Sequence, residues 1–261
     1  MSIACPTCGS TVVREIVWGL VTEPIMGRDV EYGGCAIEVV EGEPGPRTHR
    51  CLACGDSFFG DTVDAVSETG LTDRFGEAAA WASELHIDHL RKGTTIPYVS
   101  HLFAVASLVL EDGGDEDEAI AALLHDAVED GKTDLDTIAA QFGDSVAAIV
   151  DACSDTDTIP KPPWRERKER YIAHVRDPHT SEAALRVSNA DKVHNARAIL
   201  ADYTELGDAL WTRFNADARS ADAQLWYYRQ LSDAFLERRP TSRLAHELAR
   251  LVDELETRIC G

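Results

Sequence analysis

The amino-acid sequence predicts a mainly α-helical protein that begins with a small, β-rich zinc ribbon. Two observations support this division. After residue 75, apolar residues recur at helical spacing and no strand-like run of any length follows. Residues 1–60 are instead rich in glycine, β-branched residues and turn signals, and they carry two Cys-x-x-Cys pairs. We therefore expect a zinc-ribbon domain over residues 1–62 and an all-α domain over residues 75–261.

Charge and hydropathy exclude several classes of protein. The chain has 261 residues, and its 46 acidic and 25 basic side chains give a net charge of −21. That charge disfavours binding to nucleic acids and anionic membranes, because their phosphate groups would repel the protein. Apolar runs such as Ala119–Leu124 are much shorter than a membrane span, and the first residues lack the features of a secretory signal. We expect a cytoplasmic protein without nucleic-acid or membrane partners.

Four cysteines in the first segment have the spacing of zinc ligands. Cys5 and Cys8 form one pair, Cys51 and Cys54 form the other, and a glycine follows each pair. Four thiolates complete the shell of one structural Zn²⁺ ion, which stabilises a domain too small to rely on its own core. Disulfides are the weaker alternative, because the total of seven cysteines is odd and no export signal is present. The ribbon is also the candidate surface for a protein partner.

Short strands are expected around this zinc site. Ser10–Gly19 and Ala36–Val40 contain apolar and β-branched residues that alternate or run together, and residues 43–46 have the composition of a turn. Cys35 lies just before the second predicted strand, where it is either a buried thiol or a spare ligand.

The all-α domain begins with a helix whose apolar residues, Ala78, Trp81, Ala82 and Leu85, follow helical spacing. Two later helices are delimited by local signals. A helix start is predicted at residues 133–136, and a helix end followed by a new start is predicted at residues 142–144. Helices are expected over residues 101–111, 116–130, 134–142, 144–153, 164–176, 181–202, 206–214, 221–238 and 241–259. A domain of about 185 residues can bury a full core.

The segment Ala121–Asp130 carries the strongest chemical signal. His125 and Asp126 follow an apolar helical run, and Glu129 and Asp130 come four residues after them, which predicts that both acids extend the same helix face. Four ionisable groups beside a buried helix are costly unless a cation binds them, and imidazole and carboxylate are ligands of divalent transition metals. For this doublet alone, a solvated acidic helix end is the alternative.

Two distant segments add further candidate ligands. Residues 96–101 end in His101 and open an apolar helix, and residues 189–195 include Asp191 and Asn195, which share a helix face at spacing i, i+4. Taken singly, His101 would be a histidine at a helix start and Asp191 a capping or exposed acid.

In combination, these segments resemble the HD-domain metal-dependent phosphohydrolases, whose ligands occur in the order His, His-Asp, Asp. The match is closer to the Rel/Spo-type alarmone hydrolases, because generic HD proteins lack the Glu-Asp pair after the doublet. The resemblance spans roughly residues 78–235 and implies an all-α HD-domain helical bundle. It rests on residues 91–101, 121–130, 142–146, 167–168 and 190–195.

The resemblance also implies roles for individual residues. One metal ion, typically Mn²⁺, is expected on four ligands: His101, His125, Asp126 and Asp191. Glu129 and Asp130 are expected to position or deprotonate the attacking water, and Asn195 is expected to contact the nucleotide. General principles agree, since a metal with these ligands keeps open positions for water and a phosphate oxygen, and a nearby carboxylate can accept the proton.

A substrate with several phosphates requires basic side chains in spite of the negative net charge. Arg91 and Lys92 precede the first ligand histidine, and Lys168 lies in a basic burst at residues 165–170. Their cationic groups suit phosphate oxygens, and we expect them to bind substrate. The burst is explained equally well as a solvated helix face with Glu–Arg pairs.

The aromatic residues near position 227 suggest where the nucleotide base or ribose lies. Tyr227 occupies the position at which small alarmone hydrolases have a tyrosine, whereas Trp226 and Tyr228 are better explained as core aromatics. Two departures from the family pattern fall on substrate contacts: Ala223 stands where some small hydrolases have arginine, and the loop between Lys92 and Pro97 is one residue short. They leave the base and the number of phosphates open.

These features predict a metal-dependent phosphohydrolase that cleaves (p)ppGpp, or a related 3′-pyrophosphorylated nucleotide, to the nucleotide and pyrophosphate. Hydrolysis of another phosphorylated nucleotide is the first alternative, and the Glu-Asp pair favours the alarmone branch over it. A non-catalytic adaptor that senses nucleotides is the second alternative. The six intact metal and acid positions argue against the adaptor.

Overall fold

The structure is a computed structural model that describes residues 70–154, 162–214 and 218–260, together with four strands and two turn residues, Cys8 and Ala53, in the first part of the chain. The chain divides into two compact units, Met1–Ala65 and Val66–Gly261.

The first unit contains a four-stranded sheet. Its strands are β1 (Val13–Trp18), β2 (Val30–Gly34), β3 (His49–Cys51) and β4 (Ser57–Phe58), arranged in the order β2-β1-β3-β4. The β1–β2 pair is parallel, and the β1–β3 and β3–β4 pairs are antiparallel. In the register, Cys51 is opposite Val13.

The zinc-ribbon prediction is only partly covered by the described residues. Strand β1 lies within the predicted strand Ser10–Gly19, while the predicted strand Ala36–Val40 falls outside them. Cys8 lies in an exposed turn and Cys51 ends β3, but Cys5 and Cys54 lie outside the described residues. The zinc site therefore stays a prediction.

The second unit is helical in all of its described elements. They are α1 (Asp73–Leu85), α2 (Val99–Glu111), α3 (Glu116–Leu124), α4 (Leu135–Phe142), α5 (Asp144–Cys153), α6 (Trp164–Arg176), α7 (Glu182–Leu206), a 3-10 helix η1 (Gly207–Arg213), α8 (Ala221–Arg238) and α9 (Arg243–Cys260). Within the described part of the chain, no helix is long and apolar enough to span a bilayer.

Capping side chains account for where several of these helices start. Asp115 caps α3 through a reciprocal pair of bonds, because its carboxylate accepts from the Glu118 amide at 3.0 Å while the Glu118 carboxylate accepts from the Asp115 amide at 2.8 Å. Asp134, Ser181 and Ser220 cap α4, α7 and α8 with single side-chain bonds. Each cap satisfies an amide that a helix N-terminus leaves without a partner.

The core surrounds α3, which packs against α1, α2, α5 and α7. Residues Ala119–Leu124 are completely buried, so this helix is apolar on all sides. The 25-residue helix α7 crosses the unit and also contacts α9, which packs in turn on α8. Polar side chains that emerge from α3 and α7 therefore do so from the interior of the bundle.

Two helix predictions are wrong in detail. The helix predicted over residues 116–130 ends at Leu124, because the chain tightens into turns: the Ala127 amide donates to the Leu124 carbonyl, and Gly131 adopts φ +66°. Glu129 and Asp130 consequently lie on a turn, and the inference that they extend a helix face fails. The helix predicted over residues 206–214 is a 3-10 helix.

Candidate active site

Three separate elements bring four of the predicted residues together. His101 lies in the first turn of α2, His125 and Asp126 follow the end of α3, and Asp191 lies near the middle of α7. His101, His125 and Asp191 are buried, and Asp126 is half-buried. The buried residues of α2, α3 and α7 place these polar groups inside the bundle, where each needs a partner.

The side chains converge on one point. Nε2 of His101 lies 3.2 Å from Oδ1 of Asp191 and 3.8 Å from Oδ2 of Asp126. Nε2 of His125 lies 3.1 Å from Oδ2 of Asp126 and 3.7 Å from Oδ1 of Asp191. The ligand atoms of His101, His125 and Asp126 all lie within 4.8 Å of one another. This group of four is called the ligand cluster below.

Electrostatics favour a positive charge in the ligand cluster. Burial alone would raise the pKa of Asp126 and of Asp191, but His125 beside Asp126 and Lys192 beside Asp191 outweigh it, and both pKa values lie below the ordinary range. Burial lowers the pKa of His101, whereas the two carboxylates overcome burial at His125 and raise its pKa. The carboxylates therefore stay ionised within the protein.

Neighbouring groups hold the four side chains in place. Nδ1 of His101 lies 2.7 Å from Nδ1 of His194, and Nδ1 of His125 lies 2.8 Å from the Ala122 carbonyl. The Tyr98 hydroxyl donates to Asp126. Such outer contacts fix the tautomer of a ligand histidine and leave its other nitrogen available.

The residues of the ligand cluster fit a divalent transition metal. Nε2 of His101 and Nε2 of His125 are buried, and neither makes an aligned hydrogen bond in the described part of the chain, although both face carboxylate oxygens. Two imidazole nitrogens and two carboxylates are a ligand set that such ions accept.

The structure separates the two predicted acids that follow the doublet. Glu129 lines a small cavity of about 40 Å³ together with His125, Asp126 and Asp191. Asp130 is directed elsewhere, and its Oδ2 lies 3.6 Å from Nδ1 of His89. Glu129 is therefore the acid that shares a space with the ligand cluster.

A larger cavity of about 400 Å³ opens beside the ligand cluster. All five predicted substrate residues line it: Arg91, Lys92, Lys168, Asn195 and Tyr227. Lys168 and Tyr227 also line the small cavity, as does Lys192. The two cavities therefore share three side chains at their boundary.

The basic burst at residues 165–170 is divided between two roles. Lys168 lines both cavities, with Nζ 5.0 Å from the centre of the Tyr227 ring. Arg165 pairs with Glu169 at 2.7 Å and stacks its guanidinium on Trp226. The part of this segment that contains Arg165 and Glu169 is therefore a solvated helix face with a Glu–Arg pair, which was the alternative explanation of the burst.

A chain of hydrogen bonds joins the large cavity to the ligand cluster. Arg91 donates to Oδ1 of Asn195 at 2.9 Å, and Nδ2 of Asn195 donates to Oδ1 of Asp191 at 2.5 Å. Lys192 also donates to Asp191. Residues 191, 192 and 195 lie within about one turn of α7, so a single helix supplies both a candidate ligand and a candidate substrate contact.

Sequence reasoning did not assign a role to several residues of the site. Tyr98 and His194 were within the motifs that carried the resemblance, and only their contacts reveal what they support. Asp202 and Arg213 line the large cavity and pair at 2.8 Å, but no local pattern marks them. Gly93 was likewise missed: its φ is +72°, and an added Cβ would lie 2.8 Å from the Arg213 side chain.

A model of one protein family, the HD domain, matches residues 78–217, which is more than half of the chain. The chain belongs to the HD domain family. The match includes all four residues of the ligand cluster, and it agrees with the mainly helical fold.

Relatives of the chain are named as guanosine-3′,5′-bis(diphosphate) 3′-pyrophosphohydrolases or as GTP pyrophosphokinases. It is 41% identical over 124 residues to guanosine-3′,5′-bis(diphosphate) 3′-pyrophosphohydrolase MESH1 of Xenopus tropicalis, and 39% identical over 126 residues to MESH1 of Homo sapiens. Each match covers 46% of this chain and 66% of the relative. A GTP pyrophosphokinase of Streptomyces coelicolor is 30% identical over 139 residues, but only 16% of that protein is covered.

Solved structures resemble the helical unit. One is described as a metazoan ortholog of SpoT that hydrolyses ppGpp; the match has a TM-score of 0.57 at 24% identity and covers 70% of this chain and 96% of the other. A Listeria monocytogenes protein matches with a TM-score of 0.53 at 30% identity, covering 62% of this chain and 99% of the other. These similarities support the helical-bundle fold.

Proposed function

We propose that the protein is a metal-dependent hydrolase of (p)ppGpp, or of a related 3′-pyrophosphorylated nucleotide, that releases pyrophosphate. The observation that carries this proposal is the shared boundary of the two cavities. Lys168, Lys192 and Tyr227 line both the small cavity at the ligand cluster and the large basic cavity. A phosphate at this boundary reaches the reacting groups while the rest of a nucleotide lies in the larger space. The names of the relatives support the choice of nucleotide.

The ligand cluster is the proposed site of a single ion, and Mn²⁺ is the proposed identity. His101 and His125 present Nε2 to the same space as the carboxylates of Asp126 and Asp191. A borderline cation suits imidazole ligands better than Mg²⁺, which prefers oxygen ligands. When bound, such an ion lowers the pKa of water and polarises a phosphoryl oxygen.

Glu129 is the proposed general base. Its carboxylate lines the small cavity, where the attacking water must lie. The water oxygen bonds to the phosphorus, its proton passes to Glu129, and the bond between phosphorus and the ribose 3′ oxygen breaks. The leaving oxygen then takes a proton from solvent to give the 3′ hydroxyl, and Glu129 returns its proton to solvent. Asp130, which faces His89, is proposed to position the segment that carries Glu129.

Basic and aromatic residues are proposed to bind the nucleotide. Arg91, Lys92 and Lys168 supply positive charge for phosphate oxygens, and Asn195 supplies an amide. The Tyr227 hydroxyl is buried and makes no hydrogen bond in the described part of the chain, which suits a donor directed at a ligand. Ala223 stands where some relatives of this type have arginine, so the base is proposed to be held by fewer charged contacts.

Further assignments belong to the same proposal. The domain boundaries are proposed at residues 1–62 and 75–261, and the protein is proposed to act in the cytoplasm. Cys5, Cys8, Cys51 and Cys54 are proposed to bind one structural Zn²⁺ ion. The ribbon is proposed to take no part in the chemistry, because four thiolates leave no open position on the metal, and to offer a surface to a protein partner.

A substrate panel tests the proposal. The full-length protein, loaded with Mn²⁺, is incubated with ppGpp, pppGpp, GDP and a nucleoside monophosphate, and products are identified by ³¹P NMR. Pyrophosphate released only from the two 3′-pyrophosphorylated nucleotides is the expected result. Release of orthophosphate from GDP or the monophosphate at a higher rate would replace the alarmone with another nucleotide. Binding of ppGpp without any product would favour a nucleotide sensor.

A further inference from the structure

A second group of metal-ligating side chains lies at the end of α1, outside the ligand cluster. It consists of His86, His89 and Asp130, and it is called the α1-end cluster below. His86 is the C-cap residue of α1, His89 lies in the turn that follows, and Asp130 lies in the turn beyond α3. The proposed mechanism uses neither histidine.

The ligand atoms of the α1-end cluster are close enough for one ion. Nδ1 of His86 lies 3.1 Å from Nδ1 of His89, which in turn lies 3.6 Å from Oδ2 of Asp130. One ligand atom from each of the three residues lies within 4.8 Å of the other two. An ion about 2.1 Å from each ligand holds neighbouring ligand atoms roughly 3 to 4 Å apart, so small side-chain movements complete the site.

The surroundings of the three side chains suit a bound ion. His86 is 2% exposed and fixed by the end of the helix, so its nitrogen is pre-positioned. His89 and Asp130 are about one-third exposed, which leaves a path for an ion and a place for a water ligand. Two imidazoles and one carboxylate make a set that Zn²⁺ and similar late transition metals prefer over Mg²⁺ or Ca²⁺.

We infer that His86, His89 and Asp130 form a second divalent-metal site, of the Zn²⁺ class, separate from the ligand cluster. Tyr98 stands between the two groups: its ring stacks on His89 with centroids 4.0 Å apart, and its hydroxyl donates to Asp126. Each group therefore has its own set of ligand atoms, and no side chain belongs to both.

The proposed ion would tie together three parts of the site. It joins the end of α1, the turn that leads to Arg91 and the turn that carries Glu129. Both turns are loops without a helix of their own, and the isolated bridge between Leu90 and Pro97 is the described strand-like pairing of the first one. A metal bridge would restrict both loops at once, because binding fixes the ligands relative to one another.

Metal counting in matched variants tests the inference. Full-length wild-type protein, His89→Gln and His179→Gln are stripped of metal, dialysed against excess Zn²⁺, passed through a desalting column and analysed by mass spectrometry for zinc per chain. His179 is an exposed histidine beyond α6 and serves as the control. Cysteine-bound zinc is common to all three proteins and cancels in the comparison. His89→Gln is expected to hold one ion fewer than the other two.

A second variant guards against an indirect effect of the first. Asp130→Asn keeps the size of the side chain and removes its charge, and it too is expected to lose one ion. Equal zinc content in the wild type, His89→Gln and Asp130→Asn would overturn the second site and would leave the hydrogen bond between His86 and His89 as its explanation. His125→Ala separates this result from the hydrolase proposal, because it is expected to remove the ion of the ligand cluster instead. The double variant His89→Gln/His125→Ala should then lose two ions.

Discussion

The ligand cluster and the side chains that line the large cavity are held by the fold in different ways. The ligand cluster is built from residues at or beside α2, α3 and α7, and three of its four side chains are buried. The large cavity, which is proposed to bind phosphate, is lined more by half-buried and exposed side chains, such as Arg91 and Lys92 on the turn after α1. Under the proposed function, the core would fix the groups of the reaction, whereas residues nearer to solvent would select the substrate.

Removing a buried ligand should abolish metal binding at the ligand cluster. His125→Ala and Asp191→Ala are each expected to lose the ion of the ligand cluster and to reduce hydrolysis to background, since each substitution removes one of its four proposed ligands. Mn²⁺ content and turnover are measured on the same samples, with His179→Gln as control. Full activity with a retained ion in both variants would place the metal elsewhere.

Glu129→Gln should separate metal binding from catalysis. Glutamine has nearly the same shape but cannot accept a proton, so turnover is expected to fall by about 10²-fold or more. Mn²⁺ content should be unchanged, because Glu129 lines the cavity without belonging to the ligand cluster. Loss of the ion in this variant would make Glu129 a ligand and would require another base.

Tyr98→Phe and His194→Gln should weaken metal binding at the ligand cluster without removing a ligand. Each substitution alters one hydrogen bond to a ligand, at Asp126 or at His101. Loss of such outer contacts commonly weakens metal affinity by roughly 10- to 100-fold. Mn²⁺ titration gives the dissociation constant, and restoration of turnover by excess Mn²⁺ would distinguish weak binding from misfolding. Wild-type affinity in both variants would contradict the supporting role.

Lys168→Gln should weaken substrate binding and leave metal binding nearly unchanged. We expect KM to rise about tenfold, which corresponds to about 1.4 kcal/mol of lost binding, with little change in Mn²⁺ content. The difference from wild type should shrink in high salt, because screening weakens the attraction that the lysine supplies. Arg165→Gln is the matched control on the same helix, since Arg165 pairs with Glu169 and stacks on Trp226. Equal KM values for the two variants would remove Lys168 from the substrate site.

The smallest effect is expected at the start of α3, outside the ligand cluster and the lining of the large cavity. Asp115→Ala removes the reciprocal cap of α3 and should lower the free energy of unfolding by about 1 kcal/mol, while KM and metal content stay unchanged. Asp115→Asn keeps an acceptor oxygen and should remain close to wild type. Urea unfolding followed by circular dichroism measures the difference. A large loss of activity in Asp115→Ala would show that α3 moves when its start is loosened.

Much of the fold could be predicted because helical spacing and caps are local signals. The predicted bounds of α6 and α8 coincide with the structure, at residues 164–176 and 221–238. The end of α3 could not be predicted in this way. Residues 125–130 have the composition of a helix end, and the tight turn that closes at Gly131 depends on contacts that no periodicity reports.

The residues of the site also differ in whether the sequence alone could predict them. His101, His125, Asp126 and Asp191 were predicted as one group, because their order along the chain follows a family pattern, and the structure places them together. The partnership of Asp130 with His89 had no comparable signal. Two histidines spaced by three residues in an irregular turn match no motif, and only the folded chain brings Asp130 to them from more than 40 positions away.

The hydrogen-bonded path from Arg91 through Asn195 to Asp191 has a thermodynamic consequence. A nucleotide bound as proposed engages a guanidinium that also donates to Asn195, and Asn195 in turn donates to Oδ1 of Asp191, a proposed ligand of the ion. Binding of the proposed nucleotide is therefore expected to change the affinity for the proposed ion, and linkage requires that the ion then change the affinity for the nucleotide by the same factor. A dissociation constant for either ligand of this site then has a meaning only at a stated concentration of the other.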